Sequence, residues 1–457
     1  MSADFHLAQA LLPDGWAENV RLTVGADGLI TQLQPGQSAG PGDHRLGCVI
    51  PGMANLHSHA FQRAMAGLSE KRGPGTDSFW SWREVMYRFL DRLDPDVVQA
   101  IAAMVQVEML EAGFTAVGEF HYLHHAPDGG LYDDIGEMAG RICAAAETTG
   151  IALTLMPVFY RHSGFNETPA TPGQRRFLAD PELYGRLVDR ARHHAAQLPQ
   201  ARIGIAPHSL RAASMADITE ILPLAEAGPV HIHIAEQTAE VDACLAATGQ
   251  RPVRYLFDHQ PVDSRWCLVH ATHMDAEETH TLARSGAVAG LCPLTEASLG
   301  DGLFPAIDYL AAIGRIGIGS DSHIRIDLAE ELRLLEYGQR LTRRERNLLG
   351  QAGSSTGRTL FDACSAGGAQ ALGQAMGQLA VGSRADLVEL DTRNPVLAER
   401  RGDTLLDSWI FAGDARQVRS VYVGGVARVH DGRSLVRSAV EQAYGRALKG
   451  IMDGWTS

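Results

Sequence analysis

Two histidines separated by one residue, His57 and His59, follow an apolar run in the segment NLHSHAFQRAMAG. Residues two apart on a β-strand point to the same face, so both imidazoles would project to one side. Such a pair could supply two ligands to a metal ion. Because the chain contains 19 histidines, one His-x-His pair is weak evidence by itself, and it gains weight only from other candidate ligands.

Further histidines and acidic residues follow three other apolar runs, and they are His231, His233, Glu236, His270, His273 and Asp321. Each has an alternative explanation on its own. The histidines of HIH would alternate into a protein core, and an aspartate before a helix is a common N-cap. Together, three histidines and a carboxylate suit zinc, which keeps a position open for water in catalytic sites. Iron or manganese would accept the same ligands.

Glu236 is placed to move protons at such a site. It lies three residues after His233, a candidate ligand, in HIHIAEQ. A metal lowers the pKa of its bound water toward neutrality, and a nearby carboxylate can take the released proton and deliver it to a leaving amine. His270 could hold or polarise the resulting hydroxide. The alternative for Glu236 is an exposed or helix-initiating carboxylate.

Eight short apolar runs recur at intervals along the chain. They are continuously apolar, as in strands buried on both faces, and helix-like segments that often end in glycine separate them. Eight strand–helix units predict an α/β fold, a (β/α)8 TIM-like barrel. An open doubly wound sheet is the alternative, but no G-x-G-x-x-G follows the first run. The runs cover residues 48–59, 114–122, 151–160, 201–211, 229–237, 265–274, 287–296 and 315–323.

Barrel enzymes place their active sites at the carboxyl ends of the strands. The histidines and acids that end runs one, five, six and eight would therefore face one cavity. Run four ends in APHSLR and has no lysine. Two-metal hydrolases of this architecture commonly bridge their ions with a carbamylated lysine at that place, so we predict one metal ion, Zn²⁺ in the first instance.

Two segments lie outside the eight strand–helix units, and they predict a small β-sandwich domain built from both chain termini. ENVRLTVGADGLITQLQPG is typical of a hairpin, and LAVGSRADLVELD and VRSVYVGGVARVHDG are typical of alternating strands with glycine turns. Two unrelated embellishments are the alternative. The predicted division is 1–47 and 378–432 for this domain, 48–377 for the barrel, and 433–457 for an amphipathic C-terminal helix.

The composition excludes several other classes of function. The formal net charge of −14 argues against nucleic-acid and anionic-membrane partners, and only Lys71 and Lys449 could form a Schiff base. No run approaches a membrane span, and the N-terminal residues lack the pattern of a secretory signal. The six cysteines are scattered without a Cys-x-x-Cys pair. We therefore expect a cytoplasmic protein with reduced thiols.

Over nearly its whole length the chain resembles the amidohydrolase superfamily. His-x-His after the first run, H-x-x-E in the fifth and the absent fourth-run lysine resemble its mononuclear deaminase branch. Within that branch the bacterial formimidoylglutamate deiminases of histidine degradation are most similar, through NLHSHAFQRAMAG, DSFWSWREVMY, GEFHYLHH, CPLTEASLGDG and GSDSHIRIDLAEELRLLEY. The resemblance implies hydrolysis of N-formimino-L-glutamate to N-formyl-L-glutamate and ammonia, and a homodimer. It implies metal ligation by His57, His59, His233 and Asp321, with catalytic roles for Glu236, His270 and Asp321.

A substrate with two carboxylates calls for arginines, whose planar fork matches a carboxylate. Arg83 and Arg211 follow runs one and four, and surface ion pairs are the alternative for both. Candidate hydrogen-bonding residues are Gln62, Tyr122 and His208, with Ser209 and Arg325 as weaker candidates.

Two rival functions remain open from the sequence. A guanine, oxidised-purine or pterin aminohydrolase would use the same chemistry, and FWSW could form the flat wall that a ring needs. A non-catalytic metal-binding scaffold would have no reason to retain Glu236 and His270. The histidines of EFHYLHH are expected to be solvated loop residues.

Overall fold

A computed structural model describes residues 3–72, 79–453 and 455, with only the backbone at residues 79 and 80. The strands are β1 (Ala3–Leu12), β2 (Gly15–Val24), β3 (Ile30–Gln34), β4 (His44–Pro51), β5 (Met53–Ser58), β6 (Phe114–His121), β7 (Ala152–Phe159), β8 (Arg202–Ile203), β9 (Ala206–Pro207), β10 (Val230–Ile234), β11 (Trp266–His270), β12 (Val288–Leu291), β13 (Arg315–Ile318), β14 (Leu387–Leu390), β15 (Val418–Val423), β16 (Val426–His430) and β17 (Arg433–Ser434).

Helices follow most of the barrel strands, and a further helix closes the described chain. The helices are α1 (Phe79–Leu90), α2 (Pro95–Glu111), α3 (Glu137–Thr149), α4 (Pro181–Ala195), α5 (Met215–Ile221), α6 (Thr238–Thr248), α7 (Pro252–His259), α8 (Ala276–Ser285), α9 (Pro293–Leu299), α10 (Ala306–Ala311), α11 (Leu328–Arg343), α12 (Thr356–Leu372), α13 (Asp403–Ala412) and α14 (Arg437–Met452). Short 3₁₀ helices span Ala60–Met65, Pro172–Gln174, Leu222–Ala225 and Ala415–Gln417.

The predicted barrel is confirmed. Strands β5 to β8 form one parallel ladder, with β9 paired to β7, and β10 to β13 form a second. Parallel bridges from Ile205 to Val230 and from Ser209 to His233 join the two ladders on one side. The bridge from Ser58 to Asp321 joins them on the other. These links close eight strand positions into a ring, which brings the carboxyl ends of all eight to one face.

Local signals in the sequence explain where the helices begin and end. Helix α2 starts after Asp94, whose side chain accepts a hydrogen bond from the backbone N–H of Val97 at 2.8 Å, and Pro95 occupies its first position. Helix α8 begins with a capping box between Asp275 and Glu278. It ends at Gly286, whose φ of 81° suits a residue without a side chain.

A domain built from both termini is also confirmed, and its strands form one continuous sheet in the order β17-β16-β15-β14-β4-β1-β2-β3. It has its own apolar cluster, separate from the barrel core. The run 48–59 differs from the single strand that we predicted. It divides at Gly52 between β4, which belongs to this sheet, and β5, the first barrel strand. The exact domain boundaries stay a prediction.

The C-terminal helix is confirmed as α14, which lies against α2 through an ion pair of 2.7 Å between Arg437 and Glu111. The six cysteines are all buried and free. Across the described ranges, no helix combines the length and apolar character that crossing a membrane requires.

Candidate metal centre and active site

Three imidazole nitrogens converge at the carboxyl end of the barrel. The Nε2 atom of His57 lies 3.1 Å from Nε2 of His59 and 3.0 Å from Nε2 of His233. His57 and His59 reach this point from the end of β5, and His233 from β10 across the ring. The Oδ1 atom of Asp321, just after β13, lies 3.4 Å from the His59 nitrogen and 3.7 Å from that of His57.

The outer ring nitrogens of two of these histidines show that their Nε2 atoms present lone pairs. Nδ1 of His59 lies 3.0 Å from the carbonyl oxygen of Phe120, and Nδ1 of His233 lies 3.0 Å from that of His208. A carbonyl only accepts, so each Nδ1 carries the proton. Burial lowers the pKa of His59 to about 3 and holds those of His57 and His233 well below the usual value.

Neutral imidazoles whose lone pairs face one another at about 3 Å repel unless a cation lies between them. The backbone carbonyls that fix the outer nitrogens of His59 and His233 are the support that metal-bound histidines usually have. Three such nitrogens and one carboxylate oxygen match the ligand set of a tetrahedral zinc site. The residues present therefore fit a divalent metal ion.

Asp321 occupies an unusual backbone position. Its φ of 45° lies in the left-handed region, which residues with side chains rarely adopt. This conformation turns Oδ1 toward the histidine cluster and leaves Oδ2 facing His270, whose Nε2 is 3.7 Å away. The alternative that Asp321 caps the next helix does not hold, because the N-cap of α11 is Asp327.

Glu236 and His270 lie beside the metal donors. Oε1 of Glu236 is 3.8 Å from Nε2 of His270, and both side chains are buried. Burial would lower the pKa of His270, but the carboxylates of Glu236 and Glu296 raise it to about 10. Glu236 precedes α6 and is neither exposed nor its N-cap, which is Gln237. The geometry therefore places a carboxylate and an imidazole where protons could be exchanged.

The sequence reasoning missed several polar residues behind this site. Glu296 lies 3.2 Å from Nδ1 of His270 through its Oε1 atom. The sequence contained a signal for Glu296, because it is the last polar residue of the apolar run 287–296 and such positions lie at the carboxyl ends of the strands. Behind the two β5 histidines, Ser58 donates to Glu119 at 2.5 Å and lies 2.9 Å from Nε2 of His323. Burial raises the pKa of Glu119 to about 7.

One pocket opens onto the metal donors, and all five residues that we assigned to substrate binding line it. The pocket is lined by His59, Gln62, Trp82, Arg83, Met86, Tyr87, Tyr122, Tyr160, Phe177, His208, Arg211, His233, Glu236, His270, Leu299, Asp321 and Ser322. Gln62 donates to the hydroxyl of Tyr122 at 2.8 Å. Arg211 is buried, with its Nε atom 3.9 Å from Oε2 of Glu240. Trp82 and Met86 were not predicted individually, because their orientation depends on the packing of α1.

Other candidates lie outside the pocket lining. Ser209 is buried behind it, 3.1 Å from Nδ1 of His208. Arg325 is exposed and forms ion pairs with Asp327 and Glu330, so it is a surface ion-pair residue and not part of the pocket lining. His231 points away toward the carbonyl oxygen of Ala371 at 2.8 Å.

His273 contacts the carbonyl oxygen of Asp301 at 2.7 Å. The prediction for EFHYLHH was wrong, because His121, His124 and His125 are all buried. The side chains of His124 and His125 contact the carbonyl oxygens of Val158 and Leu178, respectively. These carbonyls belong to neighbouring segments that pack against the two histidines. In the FWSW segment, the side chains of Phe79 and Trp80 lie outside the described residues.

Comparison with known proteins shows the family to which the chain belongs. Residues 48–428 match the amidohydrolase family, and residues 4–47 match the family described as formimidoylglutamate deiminase HutF, N-terminal domain. A formimidoylglutamate deiminase from Pseudomonas aeruginosa is 53% identical over 457 residues, which cover 99% of this chain and 100% of that protein. An 8-oxoguanine deaminase from the same organism is 28% identical and covers 89% of each chain.

Solved structures show the same fold. An amidohydrolase from Brucella melitensis superposes with a TM-score of 0.94 at 51% identity, covering 98% of this chain and 100% of that one. An adenosine deaminase from Xanthomonas campestris with bound zinc superposes with a TM-score of 0.81 at 20% identity, covering 99% and 98%. The family and the donor set together support a metal cofactor. The chain therefore belongs to the amidohydrolase family and, within it, to the formimidoylglutamate deiminases.

Proposed function

We propose that this protein hydrolyses N-formimino-L-glutamate to N-formyl-L-glutamate and ammonia, a reaction of histidine degradation. The observation that carries the proposal is one pocket that combines the His and Asp donor set, the pair of Glu236 and His270, and two arginines. The relative from Pseudomonas aeruginosa, which carries the name of this activity, supports it through 53% identity over nearly the whole chain.

The metal ligands in this proposal are His57, His59, His233 and Asp321, which hold one zinc ion. A bound divalent metal activates water for attack on a carbon–nitrogen double bond near neutral pH. Glu236 would accept one proton of the attacking water at its carboxylate and deliver it to the imino nitrogen. It would then pass the hydroxyl proton of the tetrahedral adduct to the same nitrogen, so that the C=O bond forms, the C–N bond breaks and ammonia leaves. His270, with Nε2 3.7 Å from Asp321 Oδ2 and 3.8 Å from Glu236 Oε1, would hydrogen-bond the attacking oxygen.

Recognition of the glutamate part of the substrate would rest on the two arginines. Arg83 lies on α1 and Arg211 follows β9, so they approach the pocket from separate parts of the barrel rim. Each guanidinium can bind one carboxylate with paired hydrogen bonds. Gln62, Tyr122 and His208 add hydrogen-bonding groups to the pocket wall. Two guanidinium groups in one pocket lining favour a linear dicarboxylate over an uncharged ring.

We further propose that the enzyme acts in the cytoplasm as a homodimer with a small-molecule substrate. The proposal of the dimer follows from the family resemblance. Size-exclusion chromatography with light scattering tests it, because a monomer has a mass of 49.2 kDa and a dimer twice that.

The decisive experiment is to measure ammonia release from N-formimino-L-glutamate by the purified, zinc-loaded protein, with guanine and 8-oxoguanine assayed in parallel. Turnover of the linear substrate alone supports the proposal. Turnover of a ring, with none of N-formimino-L-glutamate, would leave the metal site credible and remove the assignment of the arginines to carboxylates. Metal binding without turnover of any candidate would instead favour the non-catalytic scaffold.

A further inference from the structure

The strand β12 contributes none of the proposed metal ligands or proton-transferring residues. The segment that follows it nevertheless contacts His270 and the residues that flank Asp321 and Glu236. This segment, residues 292–301, is called the β12 segment here and contains helix α9. It is anchored by Glu331, a buried residue whose Oε2 accepts the backbone N–H of Leu294 at 2.9 Å. Leu299 of this segment lines the pocket, and three buried side chains, Thr295, Glu296 and Asp301, contact the residues behind it.

Glu296 holds His270. Its Oε1 atom accepts the backbone N–H of Cys292 at 2.8 Å, which fixes the carboxylate at the start of α9. The same oxygen lies 3.2 Å from Nδ1 of His270, so Nδ1 donates and Nε2 is directed toward Glu236 and Asp321. His270 itself has a φ of 67°, so its backbone is in a left-handed conformation that the surrounding contacts must maintain.

Thr295 holds the backbone on both sides of Asp321. Its hydroxyl donates to the carbonyl oxygen of Ser320 at 3.1 Å. The same oxygen lies 3.3 Å from the backbone nitrogen and 3.0 Å from the hydroxyl of Ser322, both of which can donate to it. One side chain therefore bridges the residues before and after Asp321, whose own φ is 45°. This bridge stabilises the conformation in which the two oxygens of Asp321 face different partners.

Asp301 holds the turn that carries Glu236. Its Oδ1 atom accepts a hydrogen bond from the side-chain amide of Gln237, the next residue in the chain. Its carbonyl oxygen contacts Nε2 of His273 at 2.7 Å, and the backbone N–H of His273 donates to the carbonyl oxygen of Ala235 at 2.9 Å. Ala235 is also left-handed, with a φ of 51°. The residues on both sides of Glu236 are thus tied to Asp301.

We infer that the β12 segment is a positioning element that orients three residues of the proposed reaction, with Glu296 acting on His270, Thr295 on the ligand Asp321 and Asp301 on Glu236. None of these three side chains lines the substrate pocket, so they act through other residues and not on the substrate. The inference rests on the proposed function for its kinetic consequences. Its structural part, the orientation of the His270 ring by Glu296, does not depend on the identity of the substrate.

The test uses the full-length, zinc-loaded protein and the variants Glu296→Gln, Thr295→Val and Asp301→Ala. Glu296→Gln replaces the carboxylate, whose Oε1 faces both His270 Nδ1 and the backbone N–H of Cys292, with a neutral amide and so weakens the contact that orients the ring. We expect kcat to fall about 100-fold, since a hydrogen bond to a charged group contributes more than a neutral one. Thr295→Val and Asp301→Ala are each expected to lower kcat about tenfold. KM should change less than about threefold, because substrate contacts remain.

The matched control is Ala297→Ser, an exposed position in the same helix, which should retain the parent kcat. Metal content and Tm are measured for every protein, and kcat is expressed per metal-loaded subunit. A residue with a merely structural role would lower Tm or metal content and leave this normalised kcat unchanged. That result, or a change confined to KM, would overturn the inference. If Glu296→Gln folds poorly, Thr295→Val provides the same comparison.

Crystal structures of the parent and Glu296→Gln proteins give a readout that is independent of activity. We expect the metal donors to superpose and the His270 ring to rotate away from its parent orientation when the charged partner is lost. An unchanged, equally ordered ring would contradict the role of Glu296. Should the parent release no ammonia from N-formimino-L-glutamate, the proposed function fails, while the orientation of this ring still decides the inference.

Discussion

Replacing Arg211 with methionine tests both the recognition of the substrate and the electrostatics of the pocket. The guanidinium lies 3.9 Å from the carboxylate of Glu240, and both side chains are buried. At an effective dielectric constant of about 20, two unit charges at this distance attract by about 4 kcal/mol. Arg211→Met removes that compensation and leaves Glu240 buried among apolar and polar neighbours. The free energy of unfolding should therefore fall by about 3 kcal/mol near pH 8.

The loss of stability should depend on pH in a defined direction. Burial raises the pKa of Glu240 above its ordinary value of 4.5, and Arg211 opposes that rise. Without Arg211 the pKa rises further, so the folded protein binds a proton that the unfolded chain releases. The free energy of unfolding then decreases as the pH rises above 4.5. Thermal unfolding should show a deficit in Tm that is larger at about pH 8 than at about pH 5.

The same substitution should weaken substrate capture. Losing charge-assisted hydrogen bonds to a carboxylate corresponds to about 3 kcal/mol, or roughly 150-fold in kcat/KM for N-formimino-L-glutamate. The double variant Arg211→Met/Glu240→Gln should regain most of the Tm but not the kcat/KM. Arg325→Met is the matched control, because this arginine is exposed and outside the pocket lining. A kcat/KM within threefold of the parent would refute the carboxylate role, and an unchanged Tm at both pH values would refute the pairing.

Three further predictions concern the catalytic group, the metal and the wall of the pocket. Glu236→Gln should retain the parent metal content by elemental analysis while kcat falls about 100- to 10,000-fold, and a near-parent kcat would remove Glu236 from proton transfer. Chelation should abolish ammonia release and lower Tm, because the histidine lone pairs then face one another without a cation, and added Zn²⁺ should restore both. Arg176 is buried and donates to the carbonyl oxygens of Leu90, Leu93 and His125, so it holds the end of α1. Arg176→Met should lower Tm, and it should raise KM because the displaced helix α1 carries Arg83. A lower Tm with an unchanged KM would show that the position of α1 does not affect substrate binding.

The sequence predicted the positions of the barrel strands and the residues at their ends for one physical reason. Strands buried on both faces are recognisable as uninterrupted apolar runs, and closure of a parallel barrel brings their carboxyl ends to one face. His57, His233 and Asp321 are far apart in the chain, yet this rule alone placed them together. The helix ends at Gly150 and Gly286 were also predictable, for a different reason. A glycine readily adopts the left-handed backbone conformation that ends a helix, and this depends only on local sequence.

What the sequence did not predict depends on packing between distant segments. Pro51 and Gly52 mark a break between β4 and β5, but no local pattern shows that β4 pairs with the terminal sheet, because that pairing depends on β1 and β14. The three histidines of EFHYLHH carry the composition of a solvated loop but are buried, and His124 and His125 contact the carbonyl oxygens of Val158 in β7 and of Leu178. The contacts of Thr295, Glu296 and Asp301 reach residues 25 or more positions away in most cases, so no spacing rule reveals them.

The left-handed residues explain why one carboxylate can take part in two processes at this site. Asp321 has a left-handed backbone and one carboxylate whose two oxygens face different groups. With a φ of 45° it directs Oδ1 toward the His59 nitrogen at 3.4 Å and Oδ2 toward the His270 nitrogen at 3.7 Å. Such a backbone conformation costs about 1–3 kcal/mol and persists only where neighbours impose it. The bridge from Thr295 to Ser320 and Ser322 provides that constraint, so one carboxylate can face both the proposed metal ligands and His270 because a third segment fixes its backbone.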